Sequence, residues 1–254
     1  EREAPQAKLY LARIHLKQNR TERAIELLKG LAQGPPERPE ARILRGEAYL
    51  TTNNLEKAQA ALEQASEALP SDPRVSINLG KLYARQGELD KAISSVQKAL
   101  TIEPNQPEAL LTLGELQLRS GDVAQAAETY DKAIKARPSS SSALIGRARV
   151  ATAQREFDTA DQLLDKAADG AQRGLVELAR GELLLRQYLP EKAIGQLEKA
   201  VEAFPNNPTA TALLGDAFVM QGDRSNQSRA RSSYNKALQL QDGFPRARIG
   251  LAEL

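Results

Sequence analysis

The stretch that decides the fold spans residues 73–106 and reads PRVSINLGKLYARQGELDKAISSVQKALTIEPNQ. Asp72 and Pro73 predict a helix start, because a carboxylate caps free backbone N–H groups and proline tolerates the first helical position. Apolar residues then recur at helical spacing as far as Gly87, which suits the left-handed backbone that ends a helix. A second helix is predicted over residues 89–102. The stretch therefore predicts two antiparallel helices joined by a short turn.

The same pattern recurs along the chain with a nearly constant period. Alanines in the second helix follow one another at steps of 34, 34, 34, 34, 33 and 37 residues: Ala24, Ala58, Ala92, Ala126, Ala160, Ala193 and Ala230. Another alanine ladder keeps the same step: Ala65, Ala99, Ala133, Ala167, Ala200 and Ala237. A third ladder lies in the first helices and holds only small residues: Ala12, Gly46, Gly80, Gly114, Ala148, Gly181, Gly215 and Ala252. Small residues at a fixed period predict one helical hairpin stacked on copies of itself.

This unit resembles the tetratricopeptide repeat. The resemblance is carried by a set of matching positions: Leu79, Gly80, Tyr83, Ala92, Ala99 and Pro104. It implies an all-α fold, a right-handed α-solenoid superhelix of antiparallel helix pairs whose first helices line a concave groove. We expect a single solenoid over residues 1–254, with repeats at about 5–38, 39–72, 73–106, 107–140, 141–173, 174–207 and 208–244 and a partial repeat at 245–254.

Two places depart from the regular repeat. The fifth unit is one residue short and lacks the closing proline, so we expect an irregularity or hinge at 168–174. The seventh unit carries three extra residues within 223–230, which predict a longer loop between its helices. The usual polar helix that caps the last repeat is absent from this sequence. We therefore also expect that the chain can self-associate through its uncapped last helix.

Composition excludes several classes of function. The net charge is +2, from 35 basic and 33 acidic residues, which favours neither nucleic acid nor an anionic membrane as a partner. No cysteine is present, so zinc–thiolate sites and thiol nucleophiles are excluded. No apolar run reaches the ~20 residues of a membrane span, so membrane insertion is not expected.

The sequence also offers no convergent set of catalytic residues. His15 is the single histidine, and it takes a packing position that other repeats fill with Tyr or Phe. Acidic residues such as Asp90 fall mainly at helix starts, where they complement the helix dipole. We therefore expect no catalytic, metal or cofactor site, and no cofactor. Four tyrosines at repeat-spaced positions are predicted core wedges (Tyr49, Tyr83, Tyr130 and Tyr234), whereas Tyr10 should face the groove.

Helical periodicity selects the residues that face the groove which the resemblance implies. The candidate partner-binding residues are Leu9, Tyr10, Arg13, Leu16, Lys17, Ile43, Glu47, Leu50, Ile77, Asn78, Lys81, Arg85, Leu111, Glu115, Leu118, Arg119, Ile145, Arg149, Leu178 and Glu182. Two apolar rows flank a charged row of alternating sign, which has two interpretations. The charges pair between neighbouring helices, or they are offered to a partner. A basic edge (Lys17, Arg85, Arg119 and Arg186) favours an acidic segment in that partner.

The expected function is a non-catalytic scaffold that binds a peptide or protein segment in the groove. Some members of the family grip the carboxyl terminus of heat-shock chaperones with a clamp of Lys, Asn and Arg. Asn78 matches one position of that clamp, but Ile43, Glu47, Glu108 and Thr112 replace the others, so chaperone tails are not expected. Two alternatives stay open. One is an assembly segment of a bacterial cell-envelope machine for polysaccharide export or pilus biogenesis, which would favour the periplasm over the cytoplasm. The other is a regulatory arm of a larger enzyme.

Overall fold

The computed structural model describes residues 5–33, 38–168 and 173–254, and these ranges form helices without a strand. The chain divides into two compact units, residues 1–122 and 123–254. The first unit contains α1 Pro5–Lys17, α2 Thr21–Gln33, α3 Pro39–Thr51, α4 Leu55–Ala68, α5 Pro73–Gln86, α6 Leu89–Ile102 and α7 Pro107–Ser120. The second contains α8 Val123–Ala136, α9 Ser141–Ala153, α10 Phe157–Ala168, α11 Arg173–Arg186, α12 Pro190–Ala203, α13 Pro208–Gln221, α14 Arg224–Leu240 and α15 Pro245–Ala252.

The helix ends follow the local sequence. Asp72 caps α5 by accepting a hydrogen bond from the backbone N–H of Arg74 at 2.9 Å. The turn from a first to a second helix passes through one residue with positive φ, as at Gly87, where φ is 83°. Asparagine or glycine fills the same place in other repeats: Asn19, Asn53, Gly121 and Gly222. Arg155 and Tyr188 also adopt this conformation, although their side chains disfavour it.

The predicted close contacts between helices are confirmed. All seven alanines of the first ladder are fully buried. A Cβ atom added to Gly46 would lie 2.5 Å from Leu62, and one added to Gly80 would lie 2.4 Å from Val96. Small residues at these positions therefore let the two helices of a repeat approach each other.

Packing within each unit distinguishes the first helices of the repeats from the second ones. Consecutive helices pack pairwise in both units. In addition, the first helices contact one another, α1 with α3, α3 with α5 and α5 with α7 in the first unit, and α9 with α11, α11 with α13 and α13 with α15 in the second. No such contact joins second helices among the described residues. The fold is an all-α solenoid of antiparallel helix pairs.

The core-wedge prediction is confirmed for Tyr130 and Tyr234, which are 3% and 2% exposed. The ring of Tyr130 leaves no room for a Cβ at Gly146, in the first helix of the next repeat. Tyr234 lies between two glycines, Gly215 of its own repeat and Gly250 of the next. Each buried tyrosine is thus followed by a glycine sixteen residues later in the sequence.

The two expected irregularities have different outcomes. The prediction of a longer loop at 223–230 is wrong, because α14 begins at Arg224 and extends over 17 residues. Asp223 caps this helix by accepting from the Asn226 backbone N–H at 2.8 Å, so the extra residues lengthen the helix instead. The expected hinge at 168–174 falls mostly on residues 169–172, which lie outside the described residues. The division into a single solenoid with those repeat boundaries stays a prediction.

Candidate functional site

Two adjoining cavities lie along the first helices of the first unit. One measures about 560 Å³ and is lined from α1, α3, α5 and α7. The other measures about 540 Å³ and is lined from α3, α5 and α7. Glu47 and Asn78 line both cavities, which makes the surface continuous. The predicted groove residues that line it are Tyr10, Arg13, Leu16, Lys17, Ile43, Glu47, Leu50, Asn78, Lys81, Arg85, Leu111, Glu115 and Arg119.

The row of aliphatic residues is mostly buried. Leu9, Ile43, Ile77, Ile145 and Leu178 are each 5% exposed or less. They pack in the core against the second helix of their own repeat and the first helix of the next. This burial corrects the expectation that the whole row lies open in the groove. Leu111 and Leu118 remain partly exposed.

Tyr10, which was expected to face the groove, is 56% exposed and lines the first cavity. Ile14, one turn later on the same helix, is 49% exposed and lines the same cavity. Sequence reasoning missed Ile14. Its spacing of four residues from Tyr10 places both side chains on one face of α1, which is the signal that could have found it.

The charged row is partly neutralised by pairs within the protein. In the first unit, Lys81 Nζ lies 2.5 Å from Glu108 Oε1. In the second unit, Arg149 Nε lies 3.5 Å from Glu182 Oε2. These contacts support the interpretation of internal pairing for this part of the row. Glu115 has no ion pair among the described residues.

Glu47 is half-buried and lines both cavities of the first unit. Burial raises the pKa of the Glu47 carboxyl above its ordinary value, while the positive charge of Lys81 opposes that shift. Arg13, on the neighbouring helix, lies close enough to favour the ionised carboxylate in the same way. The centre of the surface is therefore a polar patch between apolar walls.

Two arginines of the basic edge tie neighbouring repeats together. Arg85 Nη1 donates to the backbone carbonyl of Leu50 at 2.7 Å. Arg119 Nη2 donates to the carbonyl of Ala84 at 3.3 Å. Both carbonyls belong to the last turn of a first helix, where the regular hydrogen bonds of the helix end. The Leu50 carbonyl also accepts from the Asn53 backbone N–H at 3.0 Å. These side chains therefore have a structural role that sequence reasoning missed, although both remain exposed at the edge of the surface.

Asn78 is the most unusual polar residue of the surface. It is 5% exposed, and its Oδ1 atom has no hydrogen-bond partner among the described residues. A buried carbonyl oxygen without a donor is unfavourable, so a donor from a bound segment would stabilise it. The sequence indicated this position only as one part of an incomplete clamp.

Family models place this architecture among known proteins. Models described as tetratricopeptide repeat match residues 16–82 and 83–141, and a further one matches residues 178–243. Together they cover more than half of the chain. The chain belongs to the tetratricopeptide repeat family.

Solved structures of other tetratricopeptide repeat proteins are similar to the chain. A tetratricopeptide repeat protein from Parabacteroides merdae matches with a TM-score of 0.75 at 18% identity, over 98% of this chain and 97% of that one. PilF of Pseudomonas aeruginosa matches with a TM-score of 0.63 at 20% identity, over 84% and 97%. PilW, a type IV pilus biogenesis factor, matches with a TM-score of 0.64 at 18% identity, over 84% and 98%. At such identities the likeness shows the fold alone. No curated protein sequence matches the chain.

Tetratricopeptide repeats are protein-interaction scaffolds, and the matches indicate no catalytic family. Within the described ranges, no group of three His, Cys, Asp or Glu residues is arranged to hold a metal ion. None of the described helices combines the length and apolar character needed to cross a bilayer.

Proposed function

We propose that this protein is a non-catalytic scaffold that binds an extended segment of a partner protein along α1, α3, α5 and α7. The observation that carries the proposal is the continuous surface of the first unit, where Asn78 lines both cavities and its amide oxygen has no hydrogen-bond partner among the described residues. In this arrangement a main-chain N–H group of the partner donates to Asn78 Oδ1. Tyr10, Ile14 and Leu111 provide apolar contacts on either side.

The apolar contacts supply most of the affinity in this proposal, since exposed aromatic and aliphatic side chains lose contact with water when a segment covers them. Lys17, Arg85 and Arg119 contribute positive charge along the edge, which favours acidic residues in the segment and accelerates association. Ile77 is fully buried and makes no contact in this proposal. Replacing it would test the fold rather than the binding site.

The test is site-specific photocrosslinking in the native cell. A photoreactive residue is placed at Tyr10 or at Leu111, and a control residue is placed at Lys98, which is exposed on the second helix α6. We expect the first two positions to crosslink to the same partner and Lys98 to give no such product. The double substitution Tyr10→Glu and Leu111→Glu should abolish capture while the circular dichroism spectrum stays unchanged. Equal crosslinking from Lys98, or full capture by the double variant, would contradict the proposal.

The narrower alternatives stay predictions. The likeness to PilF and PilW favours no pilus or envelope role by itself, because it shows the fold alone. A regulatory arm of an enzyme is equally untested, as is the periplasmic location. Self-association through α15 also stays a prediction; Ile249 on that helix is 59% exposed.

A further inference from the structure

Tyr188 occupies a backbone position that its side chain disfavours. Its φ is 59°, in the left-handed region that asparagine and glycine occupy at the equivalent turns of the first unit and that Arg155 occupies in the preceding repeat. The side chain is 75% exposed, so no packing in the core explains the choice of tyrosine. Strained residues of this kind cluster at functional sites.

The ring of Tyr188 lines a cavity of about 290 Å³ in the second unit. Leu185, Leu213 and Met220 supply its apolar wall. Met220 is 38% exposed, so part of this apolar surface is open to a partner. The cavity is separate in residues from the surface of the first unit described above.

The charges around this cavity leave two arginines unpaired. Asp216 accepts from Tyr234 Oη at 2.7 Å and pairs with Arg246 at 2.5 Å. Glu182, the other acid of the lining, pairs with Arg149. Arg155 and Arg186 also line the cavity, are exposed, and have no carboxylate partner within the described residues.

Arg186 differs from the arginines at the equivalent position of two other repeats in the contact that its side chain makes. Arg85 and Arg119 hold equivalent places in the first unit, and each donates to a carbonyl of the preceding repeat. Arg186 makes no such bond among the described residues. Neither Arg186 nor Tyr188 therefore has the structural explanation that residues at the equivalent positions of the first unit have.

We propose that this cavity is a second docking site, specific for an acidic segment that carries one large apolar side chain. Arg155 and Arg186 pair with carboxylates of the segment, and the apolar side chain enters between Tyr188 and Met220. Tyrosine, arginine and methionine are among the residue types enriched in protein interfaces. The apolar wall favours such a segment over a simple anion, which would use the two charges alone.

The test uses a short fluorescent peptide in which glutamates and aspartates flank a central phenylalanine, titrated against the intact chain by fluorescence anisotropy. We expect saturable binding, and affinity reduced by about tenfold or more in the double variant Arg155→Glu, Arg186→Glu. The matched control Arg224→Glu, Arg231→Glu makes the same charge change on exposed residues of α14, outside the cavity, and should retain most of the affinity. A peptide with alanine in place of phenylalanine should bind more weakly.

A second variant separates binding from stability. Tyr188→Gly relieves the strained backbone, so we expect a higher midpoint of thermal unfolding together with weaker peptide binding. The titration is repeated in the background Tyr10→Glu, Leu111→Glu, which disables the surface of the first unit. Binding that depends on Arg155 and Arg186 should persist in that background, which separates this proposal from the function proposed for the first unit. Several outcomes would overturn the docking site: no saturable binding, equal loss in the α14 control, full affinity in Tyr188→Gly, or displacement of the peptide by millimolar inorganic phosphate.

Discussion

Two contacts between helices, one in each unit, solve the same packing problem with side chains of different size. In the first unit, Leu62 fills the space beside Gly46 and is fully buried. In the second unit, Tyr234 takes the equivalent place between Gly215 and Gly250. The smaller side chain, Leu62, has a glycine on one side, whereas the larger one, Tyr234, has a glycine on both sides.

The comparison shows that a larger buried side chain in one repeat is accompanied by a smaller residue in the next. Sixteen residues after Leu62 the next repeat carries Asn78, a residue with a full side chain, but sixteen residues after Tyr234 it carries Gly250. The tyrosine also adds a polar link, since its hydroxyl donates to Asp216, which pairs in turn with Arg246. A bulky wedge is therefore accepted only where the following helix provides space.

The largest effect is expected from removing the wedges themselves. Tyr234→Ala should reduce the free energy of unfolding by about 3–5 kcal/mol, because it leaves a cavity between two helices that both lack side chains there. Leu62→Ala should cost about 2–4 kcal/mol, since less volume is lost. Urea unfolding followed by circular dichroism measures both. An equal or smaller loss for Tyr234→Ala would contradict the comparison.

Substituting Gly250 tests whether the tyrosine ring requires a glycine in the following helix. A Cβ at Gly250 would lie 2.3 Å from the Tyr234 ring, so Gly250→Ala should cost about 1–3 kcal/mol. In a Tyr234→Leu background the same substitution should be neutral or stabilising, because the space is free and alanine favours helix. The coupling between the two changes, measured by a double-mutant cycle, should reach about 1 kcal/mol or more. Additive effects would show that the glycine and the wedge are independent.

The polar link is expected to matter less than the packing. Tyr234→Phe keeps the ring but removes the hydroxyl, so it should cost about 0.5–1.5 kcal/mol. Asp216 retains Arg246 as a partner, which limits the loss. The measurement is again urea unfolding, with Tyr83→Phe as the control, because Tyr83 is only partly buried. A loss as large as that of Tyr234→Ala would show that packing is not the dominant contribution.

The smallest effect is a dependence on alkaline pH. Burial raises the pKa of the Tyr234 phenol above its ordinary value of 10.0, and the hydrogen bond to Asp216 adds to the shift. The fold therefore favours the neutral phenol. Its contribution to stability is complete below the unfolded pKa and is lost as the pH rises above that value. The difference in unfolding free energy between wild type and Tyr234→Phe should shrink by about 1 kcal/mol between roughly pH 9 and pH 10.5. A constant difference would contradict this.

Much of the fold followed from the sequence because close backbone contacts tolerate only small residues. The buried alanines, Gly46 and Gly80 were identified from their period alone. The role of Gly250 was not, since helical periodicity assigns a residue to a face without saying which neighbour covers it. The same limitation explains why buried Ile77 was assigned to the open groove.

The site was predicted less completely than the fold. The spacing of Tyr10 within α1 indicated an exposed side chain, and it is 56% exposed; its place in a binding groove stays a prediction. The carbonyl contacts of Arg85 depend on the distance between repeats, which the sequence does not give. The extra turn of α14 carried a local signal: Asp223 follows Gly222 directly, and none of the next residues is a glycine or a proline that would keep the segment in a loop.

The pairing of each buried tyrosine with a later glycine has a consequence for how such a chain can evolve or be engineered. Tyr130 is matched by Gly146, and Tyr234 by Gly250, across the junction between one hairpin and its successor. Moving or duplicating the tyrosine hairpin alone, or deleting the glycine hairpin that follows it, would place an aromatic ring against a successor with no room for it. Each of these hairpins has to be inherited together with the one that follows, so the order of modules is itself constrained.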